Sequence, residues 1–209
     1  MTQSDSTLIL GSDCETVHSL SRALDADFEA LPDLASSETF EGWRTRIAGG
    51  AQCSRVVLVP WNEDPKRGEL MALNSEEWRE RFEVPYLRWN FALGAAARRV
   101  RDNGAVVGVI QNPAALDAPG WTPEFAVGDG VLALIRSIAA SEGARGVRAN
   151  LVSTPIGLVT SDVILPEPPL PLFPGQVEAE VAGCVRLLLS PDSKGLTGRL
   201  LSADGGRSL

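Results

Sequence analysis

Two short runs of the chain are apolar at nearly every position, with no alternation of polar and apolar side chains. They cover residues 55–60 and 105–110, and a shorter apolar run covers residues 6–10, while residues 147–152 are predicted to form a further strand. A strand that faces solvent on one side alternates, whereas a strand of a parallel sheet covered on both faces is apolar throughout. These runs therefore predict a parallel sheet with helices on both of its faces.

Segments with helical periodicity lie between the apolar runs. Capping-box spacing at residues 12–15 predicts the start of the first helix, whose apolar face runs from Val17 to Phe28, and Pro85 predicts a kink in the longest helix. We expect one domain over residues 1–209, an α/β, Rossmann-like doubly wound parallel sheet. The other predicted elements are helices over residues 37–48, 75–102, 123–141 and 176–189, a proline-rich loop over 163–174 and a last strand over 199–203.

The chain is acidic, and its acidic residues are concentrated at one end. Nineteen basic against 27 acidic residues give a formal net charge of −8, which argues against nucleic acid or an anionic membrane as a partner. Residues 1–42, with nine acids and one base, account for the whole excess. The sequence has neither a run of about 18 apolar residues nor a signal-peptide pattern, so we expect a cytoplasmic protein. Three cysteines without CxxC spacing predict neither a disulfide framework nor a metal site.

Several segments occur in the order and at the gaps typical of one enzyme family. Residues 132–140 and 146–152 resemble the active-site helix and the following strand of the short-chain dehydrogenase/reductase family. The Asp-Gly-Gly at residues 204–206 is similar to the closing segment of that family, and residues 77–84 match the start of its long interface helix. The resemblance implies a Rossmann-like sheet and, taken alone, an NAD(P)-dependent oxidoreductase.

The positions that carry catalysis in this family hold other residues in this chain. The resemblance places Phe125 and Asp129 where the family has its tyrosine and lysine, Asn112 at its serine and Pro85 at its asparagine. Carbonyl reduction needs a proton donor for the developing oxyanion, with a pKa lowered by a neighbouring cation. Phe125 has no proton to donate, and Asp129 brings a negative charge to the place of that cation. We therefore predict that the usual dehydrogenase chemistry is lost.

The segment after the first strand lacks the glycines of a dinucleotide-binding loop. Such glycines let the backbone approach a pyrophosphate at a helix N-terminus. Gly11 is kept, but Glu15 and Val17 occupy the next two glycine positions, and the carboxylate would repel phosphates. The stretch before residue 55 also has room for a single crossover helix, which is one strand–helix unit fewer than the family has. These features predict that NAD(P) binding is lost.

The helices predicted over residues 75–102 and 123–141 are more apolar than one sheet face requires. Members of the family pair through these helices. We therefore expect a homo-oligomer, or a hetero-oligomer with an active paralogue, in which this chain is a non-catalytic structural or regulatory subunit. Two alternatives stay open. A lyase or isomerase would use a residual cleft with Asp129, Asn112 and Tyr86, and an NAD(P)-dependent oxidoreductase would follow from family membership alone.

Overall fold

Every strand among the described residues joins one parallel sheet. The computed structural model describes residues 6–33, 38–62, 64–114, 119–158, 169–171, 173 and 175–208. Its strands are β1 (Thr7–Gly11), β2 (Asp27–Ala30), β3 (Cys53–Val59), β4 (Val100–Gln111), β5 (Arg148–Thr154) and β6 (Leu200–Ser202). Their order in the sheet is β2-β1-β3-β4-β5-β6, with parallel pairing throughout. The predicted α/β, Rossmann-like architecture is confirmed.

Helices cover both faces of the sheet, as a doubly wound topology requires. The helices are α1 (Glu15–Leu24), α2 (Phe40–Ala48), α3 (Ser75–Trp78), α4 (Val84–Arg99), α5 (Thr122–Glu142), α6 (Val177–Glu180) and α7 (Ala182–Leu189). Helices α2, α4 and α5 share one hydrophobic cluster with the sheet, and α1, α6 and α7 share another on the opposite face. The two clusters are the two halves of the core.

Successive side chains of β3 enter opposite halves of the core. Val56 and Leu58 belong to the cluster under α2, α4 and α5, whereas Val57 and Val59 belong to the cluster under α1, α6 and α7. All four side chains are fully buried. Because neighbouring residues of a strand point to opposite faces and both faces are covered, a polar side chain at any of these four positions would be buried. This arrangement explains the apolar run in the sequence.

The N-terminal half contains an edge strand that the sequence did not predict. Helix α1 ends at Leu24, where Asp25 adopts a left-handed conformation with φ of 50°. The chain then runs parallel to β1, with Phe28 opposite Ile9. The prediction that Phe28 continues the helix face is therefore wrong. In the described residues of this stretch, α2 is the one crossover helix that leads to β3, as the length of the segment predicted.

The long helix predicted over residues 75–102 contains a π-helical turn just before Pro85. Asn74 begins α3 as its N-cap and forms a capping box with Glu77, and a π-helical turn over Arg79–Glu83 then connects α3 to α4. Pro85 has no N–H for the carbonyl one turn earlier, so the wider turn accommodates the missing hydrogen bond. The distortion predicted at Pro85 is therefore confirmed, and it takes the form of a π-turn.

The predicted end of this helix at residue 102 is wrong. Helix α4 ends at Arg99, and the chain enters β4 directly through a bulge at which the register with β3 shifts. Asn103 is left-handed there, with φ of 59°. A Cβ at Gly104 would lie 2.7 Å from the carbonyl oxygen of Ser54. Glycine is therefore needed here, where the backbones of β3 and β4 approach each other next to the bulge.

The C-terminal segment completes the second face of the sheet. The single helix predicted over residues 176–189 is divided into α6 and α7 at Val181. Strand β6 lies within the predicted range, whereas most of the predicted loop over residues 163–174 falls outside the described residues. Among the helices of the described ranges, none is long and apolar enough to cross a membrane.

Candidate functional site

The order in which strands are added to the sheet reverses at β1. Strand β2 lies on one side of β1 and β3 on the other, so the connections that leave the carboxyl ends of β1 and β3 diverge. In open parallel sheets such a point leaves a crevice in which ligands bind. Gly11 and Ser12 lie at the end of β1, and Pro60 and Trp61 follow β3. These residues form the candidate site.

The predicted cofactor-loop positions have structural roles at the start of α1. A Cβ at Gly11 would lie 2.8 Å from a methyl carbon of Val17, so the glycine allows the buried valine to pack on the strand end. Glu15 is exposed and accepts a hydrogen bond from Arg22 at 2.5 Å. That hydrogen bond lowers the pKa of Glu15 and keeps its carboxylate charged.

Trp61 connects three strand ends across the crevice. Its indole N–H donates to the carbonyl of Val109 in β4 at 2.8 Å, and its own carbonyl accepts a hydrogen bond from Ser12 Oγ at 2.6 Å. The capping box predicted at residues 12–15 does not form, because this hydroxyl is already bound across the crevice and Cys14 is the N-cap of α1. The Trp61 side chain is only 4% exposed and packs in the core cluster that contains Val17.

A small cavity lies beside Trp61 at the carboxyl end of β4. Its volume is about 40 Å³, and its walls include Pro85, Trp89, Gln111 and Leu158. Sites for small molecules usually enclose about 300–1,000 Å³. This cavity therefore has space for a few water molecules only.

Arg81 and Glu124 form a buried ion pair in the wall of this cavity. Arg81 Nε donates to Glu124 Oε1 at 2.8 Å, and Nη2 donates to Oε2 at 2.7 Å and to the carbonyl of Gly120 at 3.1 Å. Each of the two side chains is 9% exposed. The sequence analysis missed this pair because 43 residues separate its members and no local pattern connects them. An acidic residue in the first turn of α5 was the one available signal.

The four predicted catalytic positions lie on α4, on α5 and after β4. Pro85 borders the cavity. Asn112 packs against α5, where a Cβ at Gly128 would lie 2.5 Å from its amide oxygen, and this buried oxygen has no hydrogen-bond partner among the described residues. Phe125 is half-buried and Asp129 is exposed. The structure thus brings Asn112 and Pro85 close to α5 and leaves Asp129 in solvent.

Tyr86, the third residue of the lyase hypothesis, packs against Gly130 of α5 and the core cluster beneath it. A Cβ at Gly130 would lie 2.7 Å from Tyr86 Cε2, and the tyrosine ring stacks on Phe82 with centroids 6.1 Å apart. Across the described ranges, no hydrogen bond joins Tyr86 to Asn112 or Asp129. The same part of the chain contains no group of three His, Cys, Asp or Glu residues that could hold a metal ion.

Solved structures match this chain over nearly its whole length. A short-chain dehydrogenase/reductase from Serratia marcescens matches with a TM-score of 0.73 and 16% identity over 98% of both chains. One from Mycobacterium ulcerans matches with a TM-score of 0.76 and 18% identity over 100% of this chain and 91% of that one. A blue fluorescent protein from a metagenomic library, in complex with NADPH, has a TM-score of 0.72 and 16% identity over 98% of both chains.

No family model and no curated protein matches the sequence. At these low identities the structural matches establish the architecture and leave the chemistry open. The chain has the fold of the short-chain dehydrogenases/reductases.

Proposed function

We propose that this chain is a non-catalytic protein of the short-chain dehydrogenase/reductase fold, that it binds no nicotinamide dinucleotide, and that it serves as a structural or regulatory subunit of an oligomer. Trp61 is the observation that carries the proposal. Its two hydrogen bonds span the ends of β1, β3 and β4, in the crevice where a dinucleotide of this fold class would place its pyrophosphate.

The residues at the start of α1 do not fit a pyrophosphate. A helix N-terminus binds phosphate when glycines let the backbone N–H groups approach it closely. Here Glu15 carries a negative charge in the first turn, and the hydrogen bond from Arg22 lowers its pKa further, while Val17 fills the space above Gly11. The carboxylate would repel the phosphates, and the valine would hinder their close approach.

Among the described residues, the predicted catalytic positions and the buried ion pair offer no group placed for proton transfer in the crevice. A general acid or base must lie within hydrogen-bonding reach of the reacting atoms. Phe125 has no proton to give, and Asp129 is exposed. Arg81 and Glu124 satisfy each other in a bidentate pair. These placements favour a protein without catalysis of its own over the lyase or isomerase hypothesis.

Half-exposed aromatic rings on the segment from α3 to α4 support the role as a subunit. The rings of Trp78 and Phe82 stack with centroids 4.7 Å apart, and those of Phe82 and Tyr86 are 6.1 Å apart. Leu87, on the same helix, is 46% exposed. Contiguous apolar surface of this kind marks protein contacts. A second copy or an active paralogue would cover it.

An NAD(P)-dependent oxidoreductase is the second candidate function. Arg88 Nη2 donates to Ser12 Oγ at 3.3 Å, so a cation lies at the crevice, where it would favour a phosphate. The metagenomic fluorescent protein of the same fold holds NADPH. In this chain a dinucleotide would have to displace Trp61 and break both of its hydrogen bonds.

Titration of NADH and of NADPH with the protein separates the two candidates, with the fluorescence of the reduced nicotinamide as the readout. We expect no enhancement, because Trp61, Glu15 and Val17 occupy or oppose the place of the pyrophosphate. A saturable enhancement with a Kd in the micromolar range would refute the non-catalytic proposal and favour the oxidoreductase.

Native mass spectrometry of two leucine variants tests the subunit role. Leu87→Glu places a charge beside the stacked aromatic rings and should reduce an oligomer to monomers. Leu187→Glu is the matched control, since Leu187 is 51% exposed on α7, on the opposite face of the sheet. A role for this surface in assembly would be contradicted if the wild-type protein is monomeric and also binds no paralogue, or if both variants have an equal effect.

A further inference from the structure

A second and much larger cleft lies at the other edge of the sheet. Its volume is about 1440 Å³, and it is lined by residues from the ends of α2, α4 and α5, together with Gln52 before β3 and Asn103 in the first part of β4. The cleft is therefore at the amino ends of the strands. The crevice that contains Trp61 is at their carboxyl ends, so the two places are separate.

Arginines dominate the charged groups of this cleft. Arg145 binds both of the carboxylates that line it, with Nε 2.8 Å from Asp102 and Nη1 2.8 Å from Glu142. Hydrogen bonds to Glu142 and Asp102 raise the pKa of Arg145. Both carboxylates in the lining of the cleft thus form ion pairs with the same arginine. The arginines that line the cleft are Arg44, Arg98, Arg101 and Arg145.

Arg44 on α2 and Arg98 on α4 both line this cleft. The guanidinium of Arg44 lies 5.0 Å from the ring centroid of Phe91, and its Cδ is 3.3 Å from the Cβ position of Gly94. Arg98 follows Gly94 by one helical turn and therefore shares its face of α4. In the described parts of the chain, neither guanidinium has a carboxylate partner.

Capping of helix ends explains other arginines nearby, but it does not explain Arg44 or Arg98. Arg99 donates to the carbonyl of Ile47 at 3.2 Å, at the end of α2. Arg145 donates to the carbonyl of Ala97 at 2.9 Å, at the end of α4. Such bonds satisfy carbonyls that have no partner within their helix. Among the hydrogen bonds of the described residues, none of this kind involves Arg44 or Arg98.

We propose that this cleft binds a diphosphate group, from inorganic pyrophosphate or from a soluble organic diphosphate, between Arg44 and Arg98. Planar guanidinium groups bind phosphate oxygens through paired hydrogen bonds. Two phosphoryl groups allow each arginine to bind one of them. The acidic chain and the negative ends of three helices repel any anion, so binding depends on charge-assisted hydrogen bonds to both arginines, and a diphosphate can accept such bonds from each of them. Arg101 provides a further cation in the lining.

Isothermal titration calorimetry of the full chain with inorganic pyrophosphate tests this proposal. At about 0.15 M salt, where contacts between separated surface charges are largely screened, we expect saturable binding. Affinity should fall about tenfold in Arg44→Gln and in Arg98→Gln, because each variant loses a charge-assisted hydrogen-bonding group. Arg79→Gln is the matched control: Arg79 is exposed outside the cleft, and its removal changes the net charge equally. It should keep wild-type affinity.

A parallel titration with ADP distinguishes the two sources of the diphosphate. Tighter binding of ADP than of pyrophosphate would assign an organic diphosphate, and equal or weaker binding would assign the inorganic ion. Absence of saturable binding for both, or equal weakening in Arg79→Gln, would overturn the proposal.

A second readout needs no variant to fold. In ¹⁵N spectra of the wild-type protein, pyrophosphate should shift the Nε–H resonances of Arg44 and Arg98 and leave that of Arg79 in place, and the reverse pattern would overturn the proposal. The inference does not rest on the proposed function. Because pyrophosphate has no nicotinamide ring, its titration is also independent of the one that tests the crevice.

Discussion

Removal of one charge from the buried Arg81–Glu124 pair should destabilise the protein strongly. Glu124→Gln preserves the size of the side chain but leaves the guanidinium, 9% exposed, without its counter-ion. Both hydrogen bonds of the pair, at 2.8 and 2.7 Å, lose their charged acceptor. Breaking a buried pair in this way costs about 3–5 kcal/mol. At roughly 2–4 °C per kcal/mol for a domain of this size, the expected decrease in Tm is about 6–20 °C.

Urea unfolding followed by tryptophan fluorescence measures this loss. The slope with denaturant should stay constant, since the same surface is exposed on unfolding. The double variant Arg81→Met/Glu124→Leu should recover most of the loss, because no buried charge is left unpaired. Glu15→Gln is the control for an exposed pair and should leave the midpoint unchanged, because solvent screens the Glu15–Arg22 contact.

The reasoning would be refuted if Glu124→Gln cost less than about 1 kcal/mol, the value typical of solvent-exposed pairs. Such a result would mean that water reaches the pair through the neighbouring cavity. The wall of that cavity would then be open in solution, and the objection to a ligand at the carboxyl end of β4 would weaken.

Three further substitutions or reactions give independent tests. Trp61→Ala should lower the free energy of unfolding by about 3–5 kcal/mol, the usual cost of deleting a large buried side chain. The variant should still give no enhancement of NADPH fluorescence, because Glu15 and Val17 remain. A gain of NADPH binding would assign the exclusion to Trp61 alone. Gly104→Ala should cost about 1–3 kcal/mol in the same urea assay, because its Cβ would overlap backbone oxygen, and a neutral result would contradict the bulge geometry. Burial raises the pKa of the Cys53 and Cys184 thiols, so both should react slowly with Ellman's reagent near pH 8 until urea exposes them. These thiols ionise first in the unfolded chain, because their pKa is higher in the folded protein. Their contribution to the free energy of unfolding is therefore complete below the unfolded pKa of about 8.5 and is lost as pH rises through the folded pKa. An increase of the wild-type urea midpoint from pH 8 to pH 10, measured relative to a Cys53→Ala/Cys184→Ala variant, would contradict this sign.

The core of the sheet and helix α5 could be predicted from the sequence alone. The apolar run of β3 from Val56 to Val59 is the length of a short strand and contains no polar residue, as is typical of a strand covered on both faces. Helix α5 was predicted over residues 123–141 and extends over Thr122–Glu142, since Pro near its first turn and Gly143 after its last residue define its ends locally. These are short-range signals that need no knowledge of the rest of the chain.

Elements whose ends depend on pairing were not predictable in the same way. Strand β2 has four residues, two of them acidic, and becomes a strand because β1 offers it hydrogen bonds. Helix α4 ends at Arg99 because the chain must enter the bulge that pairs with β3. In both places the sequence is compatible with another local structure, and the neighbouring strand decides between them.

For the candidate site, the sequence determined which residues are present, and the tertiary structure decided what they do. The resemblance identified replacements at Asn112, Phe125 and Asp129, and their side-chain chemistry follows from their identity. Trp61 reaches partners 48 and 49 residues away, and Arg81 reaches Glu124 across 43 residues. Contacts over such separations arise only when strand ends and helix starts meet in space, because no periodic pattern in a single sequence encodes which distant side chain will fill a crevice.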